Sequence, residues 1–426
     1  MGASDRIDED IAGYARDVSC AGQLPTTPPL DHKELDVVMH MTIPGRVGQG
    51  MGLERQQDHA GRYHKHRRVR GQDTGCRGDM LFAMSTPLRL VITGCGGIAA
   101  AWLDNLVKRD DVALAGFVDL NPKRAAERAE QYAKGAATGS DLAAMIDQVK
   151  PDIVIDLTIP DAHADVACLA LGKGCHVLSE KPMAATMEGA RRILAATTAS
   201  GRTHAVMQNR RWLPSIRRYR EAVLGGSIGR LTELHADFFI GAHFGGFRDT
   251  MRHVLLLDMS IHSFDQARFI GNLEPVAVHA TEWNPPGSWF AHGASALVCV
   301  ECAGGERITY RGSWCSEGAN TSWECAWRGV CTGGTALWDG HDEIRVDAVD
   351  LGKDGCIRPK REVAAPPLVT LDLTQHAGCI DDMLTAIKTG KQPMTTGSDN
   401  VKSLAIVHAA ITSADRGGAR VTIDSI

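Results

Sequence analysis

The sequence predicts an α/β protein in which a doubly wound parallel sheet is followed by an α+β domain with a large, mostly antiparallel open sheet. From residue 88 onward, apolar strands alternate with helical segments at the spacing of a parallel sheet. After residue 210, strand-like stretches follow one another without helices between them, which is typical of antiparallel pairing. The length of 426 residues exceeds what one hydrophobic core usually serves, so two domains are expected.

The composition excludes several classes of protein. Hydrophobic residues make up 44% of the chain and charged residues 23%, which are ordinary globular proportions. The net charge of -5 gives no positive field for a polyanion, so no nucleic acid is expected as a partner. No apolar run approaches the roughly 20 residues of a membrane-spanning helix, so no membrane partner is expected. The 12 cysteines follow no export signal, which predicts reduced thiols in a cytoplasmic protein. Cys299 and Cys302 lie in an alternating strand-like stretch, so no metal site is predicted.

Residues 1–83 differ from the rest of the chain. They contain few large aliphatic residues, a Pro/Thr stretch, a Gly-rich stretch and a basic run at 62–70, which together predict a largely unfolded leader. The basic run is compatible with a nucleic-acid or targeting patch and with a solvated tail, and the lack of interleaved aromatic residues favours the tail. Met84 stands directly before the first clean strand. An alternative interpretation is therefore that the natural protein starts at Met84 and that residues 1–83 come from a misplaced start codon.

The predicted first domain, 84–208, alternates strands and helices. Asp141 and Thr186 are suited to cap helices, and Gly172 and Gly201 to end them. The predicted strands lie at 88–93, 114–119, 153–157, 175–179 and 203–208. The predicted helices lie at 98–107, 123–134, 142–149, 162–171 and 187–200.

The predicted second domain, 209–426, begins with a helix at 215–224 that Gly225 and Gly226 end, followed by a helical segment at 258–270. The predicted strands lie at 276–283, 294–301, 307–314, 322–331 and 343–349. Helices at 376–388 and 400–414 close the chain. We expect this domain to bind the substrate and to carry the oligomer interface.

A glycine turn follows the first predicted strand. Gly94, Gly96 and Gly97, with Ile98 and Ala99, fit the pattern G-x-G-x-x-A directly after a strand and before a helix. The first glycine permits the tight turn, and the second lets the backbone approach a pyrophosphate. The helix N-terminus supplies free amides and a partial positive charge. These residues predict a dinucleotide-binding domain of the Rossmann type, against the alternative of a plain tight turn.

Asp119 is a candidate determinant of the specificity for NAD or NADP. It ends the second predicted strand, about 20 residues after the turn, where an acid binds the ribose hydroxyls and disfavours a 2′-phosphate. This favours NAD over NADP. Lys123 and Arg124 lie close by and could accommodate a phosphate, so NADP stays an alternative.

Glu180, Lys181 and Pro182 follow the strand at 175–179, at the sheet edge where ligands of this architecture bind. A lysine there can stabilise an alkoxide, and the proline is compatible with a cis bond. The alternative is a surface lysine on a loop.

Asp258, His262, Asp265 and Phe269 recur on one face of a predicted helix. An acid and an imidazole on adjacent turns are a candidate proton-transfer pair, although such a pair taken alone is more often structural.

These three motifs resemble the Gfo/Idh/MocA oxidoreductases, most closely the inositol 2-dehydrogenase branch, and the resemblance covers residues 86–426. It implies that Lys181, Asp258 and His262 are catalytic and flank the substrate carbon opposite the nicotinamide. It also implies an open sheet that often serves oligomerisation, hence a homodimer or homotetramer.

The resemblance assigns further residues to ligand binding. Thr158, Pro160 and His163 are similar to the family's loop over the cofactor, and Glu180 joins the cofactor-binding set together with Lys181. Asn209 and Arg210 are similar to its segment near the nicotinamide and the substrate.

Two further residues are candidates for contacts with a sugar. Trp283 lies in a Pro/Gly-rich loop, where an indole could stack on a sugar ring, although a buried tryptophan is more often part of a core. His243 begins a second glycine-containing segment that is either a pocket loop or an ordinary connection.

The sequence therefore predicts a dehydrogenase that transfers a hydride between a nicotinamide cofactor and a secondary alcohol of a cyclic polyol or sugar. The alternatives are an NADP-dependent carbonyl reductase, an NAD-using glycosidase of the same fold, and a non-catalytic dinucleotide-binding sensor. A nucleic-acid-associated protein would require the leader to bind in a salt-sensitive way.

Overall fold

The computed structural model describes residues 86–426, so the predicted leader 1–83, its basic run and Met84 lie outside the described residues. The chain first forms a parallel sheet of six strands in the order β3-β2-β1-β4-β5-β6, which confirms the doubly wound arrangement. Its strands are β1 (Leu88–Thr93), β2 (Val112–Val118), β3 (Ala137–Gly139), β4 (Ile153–Asp156), β5 (His176–Ser179) and β6 (His204–Val206).

Helices cover both faces of this sheet. On one face lie α1 (Ala99–Leu106) and α2 (Pro122–Tyr132), and on the other lie α3 (Leu142–Val149), α4 (Pro160–Gly172) and α5 (Met187–Ser200). Side chains start three of them, because Asn121, Asp141 and Thr186 each accept a backbone N–H of the first helical turn. The central strand β4 is buried along its whole length, as expected for a strand with helices above and below.

The second sheet has nine strands in the order β14-β13-β12-β11-β7-β10-β9-β8-β15, and only the β7–β10 pair is parallel among the described residues. The prediction of a mostly antiparallel second sheet is thus confirmed. Its strands are β7 (Leu231–Phe239), β8 (Pro275–Trp283), β9 (Ser295–Cys302), β10 (Arg307–Ser313), β11 (Ala326–Cys331), β12 (Gly334–Trp338), β13 (Ile344–Val349), β14 (Lys360–Val363) and β15 (Val421–Thr422).

After β6 the described chain also forms α6 (Pro214–Leu224), the single turn α7 (Phe247–Thr250), α8 (Ser260–Gly271), α9 (Gln375–Thr389) and α10 (Gly397–Asp415). Helices α6, α8 and α10 pack on the inner face of the second sheet, whereas α9 returns to the first sheet, where Ile380 and Met383 join the core around Trp102. A 3-10 turn (Asn209–Trp212) leads from the first sheet into α6, a π turn (Leu255–Met259) leads into α8, and a 3-10 turn (Ile423–Ser425) ends the chain. Across residues 86–426, no helix has both the length and the apolar character that crossing a membrane requires.

Several strands escaped the sequence-based prediction. The sequence predicts no strand at β7, which occupies the middle of the second sheet. The reason is that its outward positions carry the polar residues Glu233, His235 and Asp237, which interrupt the apolar run. The short strands β3, β12, β14 and β15 were also missed. The strand predicted at 322–331 begins only at Ala326, since Cys325 has a φ of +65° that is incompatible with an extended chain. The proposed domain boundary at residue 208 stays a prediction.

Candidate active site

The glycine turn at the end of β1 has the open shape that a dinucleotide phosphate needs. Gly94 has a φ of +87°, and a Cβ there would lie 2.5 Å from the carbonyl carbon of Leu157, so only glycine fits. A Cβ on Gly96 or Gly97 would meet no heavy atom of residues 86–426 within 4 Å, so the backbone there faces open space. Helix α1 begins at Ala99, and no described side chain caps it, so the partial positive charge of its N-terminus faces the turn.

Asp119 is tied to this turn. Its Oδ2 accepts the N–H of Cys95 at 2.8 Å, and its Oδ1 accepts the N–H of Asn121 at 2.8 Å. Arg128 donates to the carbonyl oxygens of Cys95, at 3.4 Å, and Gly96, at 3.1 Å. The turn and the acid therefore form one braced unit at the carboxyl ends of β1 and β2, and these residues fit NAD.

Hydrogen bonds from Thr158 and His163 hold the loop after β4 in place. The Thr158 hydroxyl donates to Oδ1 of Asp156 at 2.6 Å, and Pro160 starts α4. The two ring nitrogens of His163 lie 2.7 Å from the carbonyl oxygen of Pro182 and 3.0 Å from that of Thr158. His163 is 0% exposed, so it braces two loops, and the geometry does not support its predicted contact with the cofactor.

The Glu180-Lys181-Pro182 segment is anchored to the first sheet, and its Lys181–Pro182 bond is cis. Oε1 of the buried Glu180 accepts the indole N–H of Trp102 at 2.7 Å, and its Oε2 accepts the N–H of Lys181 at 3.0 Å. Both oxygens of Glu180 thus have partners within the protein. We interpret Glu180 as the residue that fixes the backbone of Lys181 against α1.

The side chain of Lys181 reaches the second domain. Its Nζ donates to Oδ1 of Asp258 at 3.3 Å and to the carbonyl oxygen of the same residue at 3.1 Å. Asp258 lies in the π turn before α8, and such a turn interrupts the regular α-helical bonding pattern. The ammonium is therefore held by one residue at two points.

Arg248, which the sequence analysis did not single out, completes this cluster. Its Nε donates to Oδ2 of Asp258 at 2.6 Å. Burial alone would raise the pKa of Asp258, but the cations Lys181 and Arg248 hold it below its usual value. The carboxylate is thus ionised and shared between two cations.

His262 lies beside this cluster. Its Nδ1 is buried and has no hydrogen-bond partner in the described part of the chain, while the residue as a whole stays partly accessible. Burial, followed by the charges of Arg210, Lys181 and His376, holds the pKa of His262 well below 6.5. The imidazole is therefore neutral near pH 7 and able to accept a proton. No hydrogen bond joins it to Asp258 among residues 86–426, so the carboxylate does not orient the ring directly.

The predicted pair Asn209 and Arg210 borders the same site. Arg210 donates to the carbonyl oxygen of Trp323 at 2.6 Å and pairs with Glu324 at 3.3 Å. The Asn209 amide nitrogen lies 3.4 Å from Nδ1 of His376, a residue that the sequence gave no reason to select. His376 stands edge-on to Trp102, with ring centres 6.2 Å apart.

Three further residues have contacts outside the cluster of Lys181, Asp258 and Arg248. His243 stacks on Trp289 at 3.7 Å and approaches Glu317 at 3.0 Å. Trp283 is 49% exposed on the outer face of the second sheet, because strand alternation turns Glu282 inward and its neighbour outward. The structure therefore does not bring Trp283 together with Lys181 and His262. Asp265 is buried in a separate ion-pair cluster.

Two family models match the chain. The model described as "Oxidoreductase family, NAD-binding Rossmann fold" matches residues 88–208, and the model described as "GFO/IDH/MocA C-terminal domain" matches residues 216–336.

Named relatives are similar over part or most of the chain. The chain is 30% identical to D-glucoside 3-dehydrogenase of Escherichia coli over 192 residues, which cover 44% of this chain and about half, 54%, of that protein. It is 25% identical to D-apiose dehydrogenase of Paraburkholderia graminis over 76% of this chain and 87% of that one. Among solved structures, an oxidoreductase from Agrobacterium radiobacter in complex with NAD+, L-tartaric acid and magnesium matches with a TM-score of 0.69 and 20% identity, covering 80% of this chain and 99% of that chain. This last likeness bears on the fold alone.

Proposed function

We propose that this chain, which belongs to the Gfo/Idh/MocA oxidoreductase family, transfers a hydride between NAD and a secondary alcohol of a cyclic polyol or sugar. One observation carries the proposal: Asp258 holds the ammonium of Lys181 beside His262, an imidazole that burial and nearby cations keep neutral. This is the pair of groups that alcohol oxidation needs, a cation for the oxygen and a base for its proton. The D-glucoside and D-apiose dehydrogenases among the relatives support the substrate class.

The chain's own residues have distinct parts in this reaction. When bound, NAD supplies the acceptor for the hydride that leaves the substrate carbon. Lys181 donates a hydrogen bond to the reacting oxygen and stabilises the developing alkoxide. His262 accepts the hydroxyl proton, so the alcohol becomes a ketone. Asp258, whose carboxylate is bonded to Lys181, holds the ammonium in position.

NAD is the preferred cofactor under this proposal. The Asp119 carboxylate stands at the end of β2, tied to the glycine turn through Cys95. A 2′-phosphate placed near this carboxylate would meet a like charge, which disfavours NADP.

The test is the initial rate of reduced-nicotinamide formation with NAD and with NADP, on a panel of inositols, aldoses and anhydrosugars. Lys181→Met and His262→Asn should each lower kcat by about 100- to 10,000-fold, the usual range for a lost proton-transfer group. Lys173→Met is the matched control, because that lysine directly follows α4, at the opposite edge of the sheet, and pairs with Asp147 of α3 at 2.7 Å. A protein that binds NAD yet turns over no substrate in either direction would sink the dehydrogenase proposal and favour a sensor or a glycosidase.

We also propose that the chain forms a homodimer or homotetramer in the cytoplasm through the outer face of the nine-stranded sheet. The exposed side chains Trp283 and Leu297 on that face support this. Sedimentation equilibrium at micromolar concentration checks it, and a monomer would contradict it.

A further inference from the structure

Arg248 has unused hydrogen-bonding capacity next to the proposed catalytic residues. Its Nε donates to Asp258, and its side chain is 31% exposed. Its guanidinium carbon lies 5.2 Å from the ring centre of Phe244 and 4.7 Å from that of Phe247. Within residues 86–426, no group accepts a hydrogen bond from its terminal nitrogens Nη1 and Nη2.

This arrangement prepares one edge of the guanidinium for a ligand. A guanidinium carries five N–H donors in a planar fork, and among residues 86–426 only the Nε–H of Arg248 has an acceptor, which leaves the donors of both terminal nitrogens unpaired. Such a fork matches the two oxygens of a carboxylate. The two phenyl rings and the ion pair already hold the side chain in place, so little conformational freedom remains to be lost when a ligand binds.

The free edge lies along the same site as His262. The Phe244 ring, 37% exposed, stands 6.1 Å from the ring of Trp323, and the Trp323 carbonyl oxygen accepts from Arg210. Arg210 is in turn close enough to His262 to lower the pKa of that imidazole, second only to burial. On the other side, Asp258 links Arg248 to Lys181.

The cations around the site differ in the number of carboxylates that pair with them. Arg210 has the carboxylate of Glu324, whereas Lys181 and Arg248 share the carboxylate of Asp258. Glu180 lies behind Lys181, where its two oxygens accept from Trp102 and the Lys181 main chain. One more singly charged anion beside Arg248 would therefore be matched by a donor that has no other partner in the described part of the chain.

We propose that Arg248 binds a carboxylate of the substrate, so that the polyol or sugar oxidised at this site is a sugar acid. This inference rests on the proposed function and names the substrate class within it. The exposed Phe244 ring supplies an apolar surface for the carbon skeleton next to the carboxylate. A phosphate is the less suitable anion, because the unpaired donors come from a single arginine and a phosphate carries close to two charges.

The test compares matched substrates. D-glucuronate and D-galacturonate are run beside D-glucose and D-galactose, with the hexose 6-phosphates as a third set, and the readout is the ratio of kcat/KM values for acid over neutral sugar. The ratio cancels any loss that Arg248→Met causes by disturbing Asp258. We expect the parent to favour the hexuronates and Arg248→Met to lower the ratio roughly 10- to 150-fold, mainly through KM, the effect of one hydrogen bond to a charged group. Arg248→Lys, which keeps the charge but loses the fork, should give an intermediate ratio.

Two further measurements separate the possible failures. Arg192→Met is the control, because that arginine pairs with Asp165 on the exposed side of α4 and α5, and the variant should leave the ratio unchanged. Calorimetric binding of hexuronate in the presence of NAD needs no turnover, so a tenfold weaker affinity in Arg248→Met supports the inference even if the dehydrogenase proposal fails. Equal losses on acid and neutral sugars would show that Arg248 only positions Asp258 and would overturn the inference. A preference for the sugar phosphates over the hexuronates would overturn the choice of a carboxylate.

Discussion

Two clusters of charged residues lie along α8 and the turn before it, and they differ in whether the chain completes them. The core cluster consists of Arg211, Asp265, Arg268, Asp399 and Ser403. Arg211 binds both oxygens of Asp265, at 2.6 and 2.8 Å, and also reaches Asp399 at 2.6 Å. Arg268 donates to Asp399 at 2.7 Å and to the Ser403 hydroxyl at 2.9 Å, and that hydroxyl donates to Asp265 at 2.9 Å. Every carboxylate oxygen in this cluster has a partner.

The site cluster consists of Lys181, Asp258 and Arg248, with His262 beside it. Here the terminal nitrogens of Arg248 and the Nδ1 of His262 have no partner in the described part of the chain. The same residue types on the same stretch of chain thus specify a fold where the protein supplies a partner for every carboxylate oxygen, and leave donors and a base for a substrate where the terminal nitrogens of an arginine stay unpaired.

Breaking the core cluster should give the largest effect on stability. Asp265→Asn leaves Arg211, whose side chain is 5% exposed, without its bidentate partner. We expect the free energy of unfolding to fall by about 3–5 kcal/mol, measured from the urea midpoint, while kcat per folded molecule stays close to that of the parent. The control is Asp165→Asn, which removes an exposed pair with Arg192 on the first domain and should cost less than about 1 kcal/mol. Equal losses in the two variants would mean that the core cluster does not stabilise the fold.

Breaking the site cluster should reverse this pattern. Asp258→Asn removes the charge that holds the Lys181 ammonium, and displacing a reacting group in this way lowers kcat about 100-fold, or about 2.7 kcal/mol in the barrier. The stability loss should be smaller than for Asp265→Asn, because the side chains of Lys181 and Arg248 are 21% and 31% exposed and can gain water. A variant that loses stability but keeps its rate would make Asp258 a structural residue and remove the distinction between the clusters.

The sequence predicts the motifs, but it does not predict which of their residues belong to the core cluster and which to the site cluster. Asp258, His262 and Asp265 share a face of an ideal helix, so spacing alone places them together. The π turn Leu255–Met259 breaks the helical register at Asp258, and Asp265 lies further along α8, where it faces Arg211. Hydrophobic periodicity reports neither feature, because the π turn is a change in backbone bonding and the partner of Asp265 lies 54 residues away in sequence.

The glycine turn was predictable and Arg248 was not, for a related reason. Gly94 and Asp119 act through backbone geometry within one strand-turn-helix unit, so their spacing carries the information. Arg248 follows the glycine segment that begins at His243, which was weighed as a pocket loop, yet its importance comes from Asp258, ten residues on and in another element. His376 similarly reaches the site only because α9 returns to the first sheet.

A change of pH should give the smallest effect on the comparison of the two clusters, because the rates near pH 7 do not change. Burial and the charges of Arg210, Lys181 and His376 hold the pKa of His262 well below 6.5, so the neutral base persists as the pH falls through that value. The acid limb of kcat/KM for alcohol oxidation should therefore lie below pH 6.5, whereas an ordinary histidine would have lost about half of its activity there. Stability follows the same sign: the unfolded chain takes up this proton first, so the contribution of neutral His262 is full above pH 6.5 and is lost as the pH falls below it. In His262→Asn this part of the pH dependence of the urea midpoint should vanish. An acid limb at or above pH 6.5 in the parent would mean that the site cluster does not keep its imidazole neutral, and proton acceptance would then have to be assigned to another group.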